Sequence, residues 1–388
     1  EYHPFINATP CDEHGNYLGK DTPPPSRPAP AQDDWGQFGS RIGFETAELL
    51  FQREQMSAGN INELLKLWAA SLTKHGDQGP FANTKDLYNA IDNSSLDNVA
   101  WETFSMKYTG ELPERDIPPW MLADYDVHFR NPRTVAESIT ACMDFKDEQQ
   151  LAPLRVFDSV GNRQVTNLME GDWAWRQADP IARDPETHGS AFVPIILGSD
   201  KTTVSVATGQ NEYYPLYMST GNMHNSVRRA HRGAVVLLGF LSIPKSKSQP
   251  SESNLLFTYG LSFAADREYA SDIRFRQFRR QLFHSSVSRI LQPLKMGMTK
   301  PQIIRCADNH FRRVIYGLGP YIADYPEQAL LACIVQGWCP KCTAKNTDLD
   351  GPGSGRRSRN HADIVAETYE PGVVWHNYGI VSDVVVRE

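Results

Sequence analysis

The chain has 388 residues, 40% of them hydrophobic and 22% charged, with 39 Lys and Arg against 46 Asp and Glu for a formal charge of −7. This is an ordinary globular composition, long enough for two or three domains and a sizeable core. No apolar run approaches the roughly 18 residues of a membrane span, no signal peptide opens the chain, and six cysteines in so long a chain do not form a disulfide framework. Their late clustering suggests a reducing compartment and a bound metal. The first residue is Glu rather than Met, as expected of a piece of a longer reading frame.

Residues 1–40 are rich in Pro, Gly, Asp and Asn around TPPPSRPAPAQDD. Such a segment buries too little apolar surface to offset lost chain entropy, so a disordered or extended lead-in is expected, with Trp35 and Phe38 docking onto the next helix. From Gly43 to about Leu72 the apolar residues Leu49, Leu50, Met56, Ile61, Leu64, Leu65, Leu67 and Trp68 recur at helical spacing, with a break at Ser57, Ala58, Gly59 and Asn60. Two short helices and a turn are the outline of a DNA-reading helix-turn-helix, but this stretch is acidic and lacks an arginine face, which favours plain packing. The mainly helical region continues to residue 150, with helices expected in TKDLYNAID and RNPRTVAESITACMDF. Residues 150–190 read as short strands with GN as a turn, and the tryptophans of WAWRQ as packing in a core or between subunits.

The core elements follow. AFVPIILGSD is a strand closed by Asp200, a second strand spans about 212–219, and AVVLLGFLSI is a third, over 234–243. A helix is expected from about Tyr269 to Leu294, with Phe275, Phe278 and Leu282 on one face and Arg274, Arg276, Arg279 and Arg280 crowding the remainder. Val314, Ile315, Tyr316, Leu318, Tyr321 and Ile322 form a last apolar run that closes at Asp324. Pro326 and Glu327 then open a helix with Ala329, Leu330, Leu331, Ala332 and Val335 as its stripe. Residues 221–360 hold 21 Lys or Arg against 9 Asp or Glu, a local +12 facing −19 in the rest. That asymmetry suits a polyanion partner, and a solvated basic helix balancing the acidic half is the plain alternative. Arg228, Arg229 and Arg232 in RRAHR are either a grip on a DNA backbone or an exposed hairpin tip.

A single Asp at a strand end is most simply a helix cap. Two of them, Asp200 and Asp324, are what a Mg²⁺ site needs, and two such ions roughly 3.5 to 4 Å apart serve phosphodiester chemistry. Asp308, in RCADN, also closes an apolar run and rivals Asp324. Cys339 and Cys342 have the spacing of half a tetrahedral zinc site, with Cys333 and His361 as the residues to complete it, although Cys333 also reads as buried on the helix. A redox pair is disfavoured because no thioredoxin-like order of strand and helix surrounds them.

The series VPIILGSDKTTVSVATGQNEYYPLYMSTGN, RRAHRGAVVLLGFLSIPKSK and IIRCADNHFRRVIYGLGPYIADYPEQALLACIVQGWCPKC resembles the transposases of fungal Plavaka elements, relatives of the CACTA (EnSpm-like) transposons. It spans roughly residues 190–345, and FETAELLFQREQMSAGNINELLKLW is similar as well. The resemblance implies an α/β fold, an RNase H-like mixed sheet core with flanking helices, over residues 151–345. Before it stand the lead-in of residues 1–40 and the helical region 41–150, and after it a basic loop and truncated insertion over 346–388. It implies a nuclear protein that cleaves and joins DNA with Mg²⁺ or Mn²⁺ held by an Asp, Asp, Glu triad. Asp200 matches the first position and Asp324 the second, with transposon ends and further copies of the chain as partners and a structural Zn²⁺ on the cysteines. For the third position Glu367 and Glu370 are nominal candidates, because Pro371 and Gly372 follow at once and no convincing helix carries them. A chain that ends before its metal site is complete is therefore expected, and the competing reading is a catalytically inactive DNA-binding or interaction protein.

Overall fold

The structure, a computed structural model, describes residues 1–19, 21–26, 34–92, 99–203, 212–229, 233–244, 269, 271–349, 351 and 355–382. The chain divides into two compact units, residues 24–98 and residues 1–23 with 99–388.

In the smaller unit Ser40 accepts a hydrogen bond from the Gly43 N–H and starts α1 (Arg41–Ala47), which runs into a wider π turn over Glu48–Arg53. Ser57 accepts from the Asn60 N–H and starts α2 (Ala58–Leu72). The helix break therefore falls just before the expected place, because Ala58, Gly59 and Asn60 form a capped first turn. In α3 (Thr84–Asp92) the Thr84 hydroxyl donates to the Ala58 carbonyl at 2.9 Å and its N–H to Asn62 Oδ1 at 2.8 Å, tying α3 to α2. Ala47, Leu50, Ile61, Leu65, Phe81 and Leu87 close the core between them.

The larger unit is built on one mixed sheet. In chain order its elements are β1 (Pro10–Cys11), β2 (Trp101–Met106), β3 (Tyr125–Arg130), α4 (Pro132–Ala141), α5 (Asp172–Ile181), β4 (Ala191–Ser199), β5 (Pro215–Thr220) and α6 (Asn225–Arg229). They continue as β6 (Val235–Phe240), α7 (Ile273–Leu291), β7 (Gln302–Arg305), β8 (Phe311–Ile322), α8 (Tyr325–Leu331), α9 (Arg359–Thr368) and α10 (Pro371–Tyr378). The strand order is β1-β8-β4-β5-β6-β3-β2, with β7 also on β8. Every pairing is antiparallel except that of β4 with β8, which is parallel. β4 lies inside the sheet, between β8 and β5, and is buried along nearly its whole length, as a continuous apolar run requires. Phe283, Val287 and Ile290 of α7 and Val135, Ala136 and Ile139 of α4 join the sheet's core cluster.

Four expectations are corrected. Residues 1–19 are not a disordered lead-in: Ile6 and Cys11 are fully buried, β1 pairs with β8, and the His3 N–H donates to the Pro153 carbonyl at 2.9 Å. A few anchors, rather than overall composition, decide the matter. The region read as helices and loops up to residue 150 holds the paired strands β2 and β3, which lengthen the sheet by two. WAWRQ lies in helix α5, not among strands; only 156–157 and 163–164 form a short hairpin around Gly161. The segment read as a loop after residue 350 contains α9 and α10, whose Val365 and Val374 cluster with Ile334, Trp338 and Ile380.

Gly319 lets β8 approach β4 closely: a Cβ there would stand 2.8 Å from the Ile195 carbonyl oxygen. Gly59, in the exposed first turn of α2, has nothing within 4 Å. Gly319→Ala should therefore destabilise the protein by about 1–3 kcal/mol through overpacking. Gly59→Ala should stabilise it by about 0.4–1 kcal/mol through helix propensity and a stiffer unfolded chain. Urea unfolding of both variants checks the pair, and equal effects would contradict the close approach.

Candidate active site and nucleic-acid interface

The parallel pairing of β4 with β8 sets Gly198 opposite Ile322. Two residues beyond each of them comes an aspartate, Asp200 on one strand and Asp324 on the other, both exposed. Adjacent strands run about 4.8 Å apart, so the two acids leave neighbouring strands at the same edge of the sheet. Asp324 is also the N-cap of α8: its Oδ1 accepts from the Glu327 N–H at 3.0 Å, and Tyr325 and Pro326 start the helix. One of its two oxygens is thereby committed to the cap.

Sequence reasoning treated Glu327 only as a residue favoured at a helix start, yet it lies at the centre of this edge. Its side chain is buried and accepts from the Ser199 hydroxyl, with the Tyr321 hydroxyl at 3.5 Å and that of Tyr214 also bonded to it. Burial pushes the carboxyl above its ordinary range; the hydroxyls pull it down and the Asp324 charge pushes it up again. The available signal was the Asp-x-x-Glu spacing of a helix start, which places residue three of the helix back over its cap. Ser199 and Asp200 are consecutive, so the Glu327 to Ser199 bond ties α8 to the end of β4.

Basic side chains flank the edge on two sides. Asp272 caps α7 by accepting from the Arg274 N–H at 2.8 Å, and Phe275, Phe278 and Leu282 bury one face against Trp120, Met121 and Tyr125. Arg276, Arg279 and Arg280 on the remaining surface line a cleft of about 220 Å³ together with Lys201, Tyr214 and Leu330. Lys201 follows Asp200 directly, so this cleft adjoins the acids. Arg274 is not with the other three; it lines a separate cleft with Lys107, Tyr108 and Gln277. Arg228, on α6, lines a third cleft of about 500 Å³ with Asp200, Tyr217 and Ile322. Burial and the Arg229 charge lower its affinity for its proton. The start of α6 is held by Asn167, whose Oδ1 accepts from the Asn225 N–H at 2.9 Å. Asn167 in turn forms a capping box with Glu170. Burial opposes ionisation of the Glu170 carboxyl, but bonds from Thr166, Gln150 and Asn167 prevail and bring it down to about 2. Arg232 lies outside the described residues.

Asp308 does not rival Asp324. It precedes β8, whose twelve residues extend about 40 Å, so it stands at the opposite end of the sheet from Asp200. There it is consumed by a fork of two bonds from Arg312, each 2.8 Å. Burial alone would raise its carboxyl, but the Arg312 bonds and charge lower it. An apolar run closed by an acid looks the same in sequence at either end of a strand.

The cysteines are only partly brought together. Cys339 and Cys342 interact, and the Cys339 thiol is lowered: burial opposes this, while the Lys341 N–H at 3.4 Å, Cys342 and the Arg357 charge favour the thiolate. Arg357 also clamps the turn by donating to the Cys339 and Cys342 carbonyls at 3.2 and 3.1 Å. Cys333 lies 3.6 Å from His284 Nε2, and His361, on α9, packs edge-on to Tyr378 of α10. Glu367 does sit on a helix, α9, and Glu370 stands at the position just before α10 without a side-chain bond to it. Among the described residues, however, no three His, Cys, Asp or Glu side chains gather as a metal-holding group, so neither glutamate joins the two aspartates and neither Cys333 nor His361 joins the cysteine pair.

Glu327 generates a pH prediction. Its folded pKa is raised, so its stabilising contribution is present below the ordinary value of 4.5 and is lost as pH rises through the folded value. Glu327→Gln keeps an oxygen for Ser199 and removes the ionisable group. Its stability relative to wild type should therefore climb as pH rises above the ordinary value of 4.5 and level off once the folded carboxyl has ionised. Glu327→Ala leaves three hydroxyls without their acceptor and should cost about 1–3 kcal/mol at either end of that rise. Denaturant titrations of the three proteins measure both effects, and a pH-independent Gln difference would refute the buried-acid assignment.

Among the described residues no helix is long and apolar enough to cross a membrane. No curated protein matches the chain. The family model described as Plavaka transposase matches residues 81–265 and 255–386, which takes in both aspartates, the arginines of α7 and the cysteine pair. The chain belongs to the Plavaka transposase family.

Proposed function

We propose that this protein handles DNA as a transposase with an RNase H-like core, and that Asp200 and Asp324 are two of its metal-holding carboxylates. The single observation that carries the reading is the register that sets Gly198 against Ile322 and brings both acids to one edge of two parallel strands. The order β6-β5-β4 antiparallel, then β8 parallel to β4, with α7 between β6 and β8 in the chain, supports the fold assignment. The donor set fits a hard divalent cation: two exposed carboxylates at adjacent strand ends, with room for retained waters. Bound there, Mg²⁺ or Mn²⁺ would supply activation of an attacking oxygen and stabilisation of the leaving one.

The chain's own residues do the rest. Arg276, Arg279 and Arg280 on one side, and Arg228 on the other, hold phosphates on either side of the acids and set the register of the duplex. Glu327, whose ionisation burial disfavours, fixes α8 against β4 through its bond from Ser199. Cys339 and Cys342, with a lowered thiol and an arginine-clamped turn, are two of the ligands a Zn²⁺ would use.

The test is nicking of a supercoiled plasmid with and without Mg²⁺. Asp200→Ala and Asp324→Ala should each abolish Mg²⁺-dependent nicking while leaving DNA retention in place, and Asp308→Ala should leave nicking intact at matched stability. Retention should fall steeply with salt, and removing Arg276, Arg279 and Arg280 together should flatten that slope by up to about three counterions. DNA retention with no nicking in any form would favour the inactive, DNA-binding reading; no salt-dependent retention would overturn both.

A further inference from the structure

Beside the arginine cleft lies a larger pocket of about 850 Å³ that the reading above leaves unused. Its floor is aromatic. Trp101 of β2 and Phe240 of β6 lie nearly parallel, 17° apart with ring centres at 6.0 Å, and Tyr213 stands 5.7 Å from Phe240. Trp101 and Tyr213 are each about half exposed, 50% and 51%, so their rings are open to a ligand. The pairings that build the floor are regular: Trp101 opposite Arg130, Thr103 opposite His128, and His128 opposite Phe240. The Arg130 guanidinium sits 5.3 Å from the Trp101 ring centre, and the Arg130 side chain is itself bonded to the Leu237 carbonyl, which holds the indole in place.

Three carboxylates line the same pocket, and two are already neutralised. Asp124 pairs with Lys107 at 3.0 Å and Glu212 with Lys201 at 2.8 Å, while Asp126 accepts from the Ser105 hydroxyl. The pocket is therefore not a strong cation trap. It also runs into the arginine cleft: Ser242 and Ile243 line both, and Lys201, which lines the cleft, is the partner of Glu212, which lines the pocket.

We infer that this pocket receives a single unpaired nucleobase from a DNA strand whose phosphates lie in the arginine cleft. The inference rests on the DNA reading above and adds to it what the strand must offer. Stacking on Trp101, Phe240 and Tyr213 tolerates any base, because every base has a π face. Asp126 and His128 supply hydrogen-bonding groups at the rim for the base edge, with the Asp126 carboxylate suited to an exocyclic amino group. A fully paired duplex cannot use the floor, since its bases are stacked on one another.

The experiment compares three probes with the whole chain: a fully paired duplex, the same duplex with one unpaired 2-aminopurine, and the single strand carrying it. The unpaired probes should bind more tightly than the duplex, on the order of tenfold, with a change in 2-aminopurine fluorescence. Trp101→Ala should erase that preference and the fluorescence change while leaving duplex retention alone. Trp101→Phe should restore part of both, which a merely unfolded variant would not do. Arg279→Ala should weaken all three probes alike. Duplex retention with no preference for the unpaired base, or an equal loss for all probes in Trp101→Ala, overturns the base pocket and spares the DNA reading. Failure to retain any probe overturns both. Binding of a trimethyl-lysine peptide that Trp101→Ala removes, with no effect of Trp101 on the DNA probes, would assign the pocket to a cationic peptide instead.

Discussion

The parallel contact between β4 and β8 is the constraint on which the site depends. These strands are far apart in sequence, and they must meet in one register for Asp200 and Asp324 to leave the sheet at one edge. The alternation of side chains along a strand has a period of two, so a slip by one residue would turn one strand over relative to the other and send Asp200 and Asp324 to opposite faces of the sheet. The apolar content of β4 thus protects the placement of two acids that contribute nothing to the core. Gly319 serves the same contact, since any side chain there would press on the Ile195 carbonyl and open the pair.

Around this fixed edge the charges are sorted by environment. The arginines of α7 come from a helix whose other face is fastened by aromatic packing of Phe275 and Phe278 on Trp120. Their guanidinium groups are therefore presented by a rigid element rather than by a loop, which limits the entropy lost when a phosphate is bound. Arg274 shows how narrow that presentation is: five residues before Arg279 on the same helix, it faces a different cleft.

Much of this was legible in the sequence, and what was not has physical causes. The runs AFVPIILGS and VIYGLGPYI announce strands because they are apolar without interruption, although the second is buried only over Val314, Ile315 and Tyr316, and the arginine and phenylalanine spacing of α7 announces a helix with two faces. β2 and β3 were illegible because WETFSM and YDVHFR each bury one side and expose polar groups on the other, over only six residues. The first nineteen residues were misread because His3, Ile6 and Cys11 are isolated anchors in a polar segment, where composition argues one way and three buried side chains argue the other. Asp308 was ambiguous because an acid after an apolar run does not reveal which end of the sheet it occupies; only the parallel pairing of β4 with β8 does.

Glu327 completes the account of the edge. Glu327 and Asp324 are neighbours there, and two ionised carboxylates would repel each other and any phosphate bound beside them. Burial resolves the conflict by making one of them costly to ionise, while Asp200 and Asp324 stay in contact with water. Divergent environments are how neighbouring carboxyls come to hold different roles. Here the buried acid joins β4 to α8 through Ser199, and the pair at the strand ends stays exposed. The same bond makes the placement of Asp200 depend on the start of α8, and that start depends on the cap supplied by Asp324. Each acid's position is thus partly fixed by the other's strand, so a change at either should be felt at both.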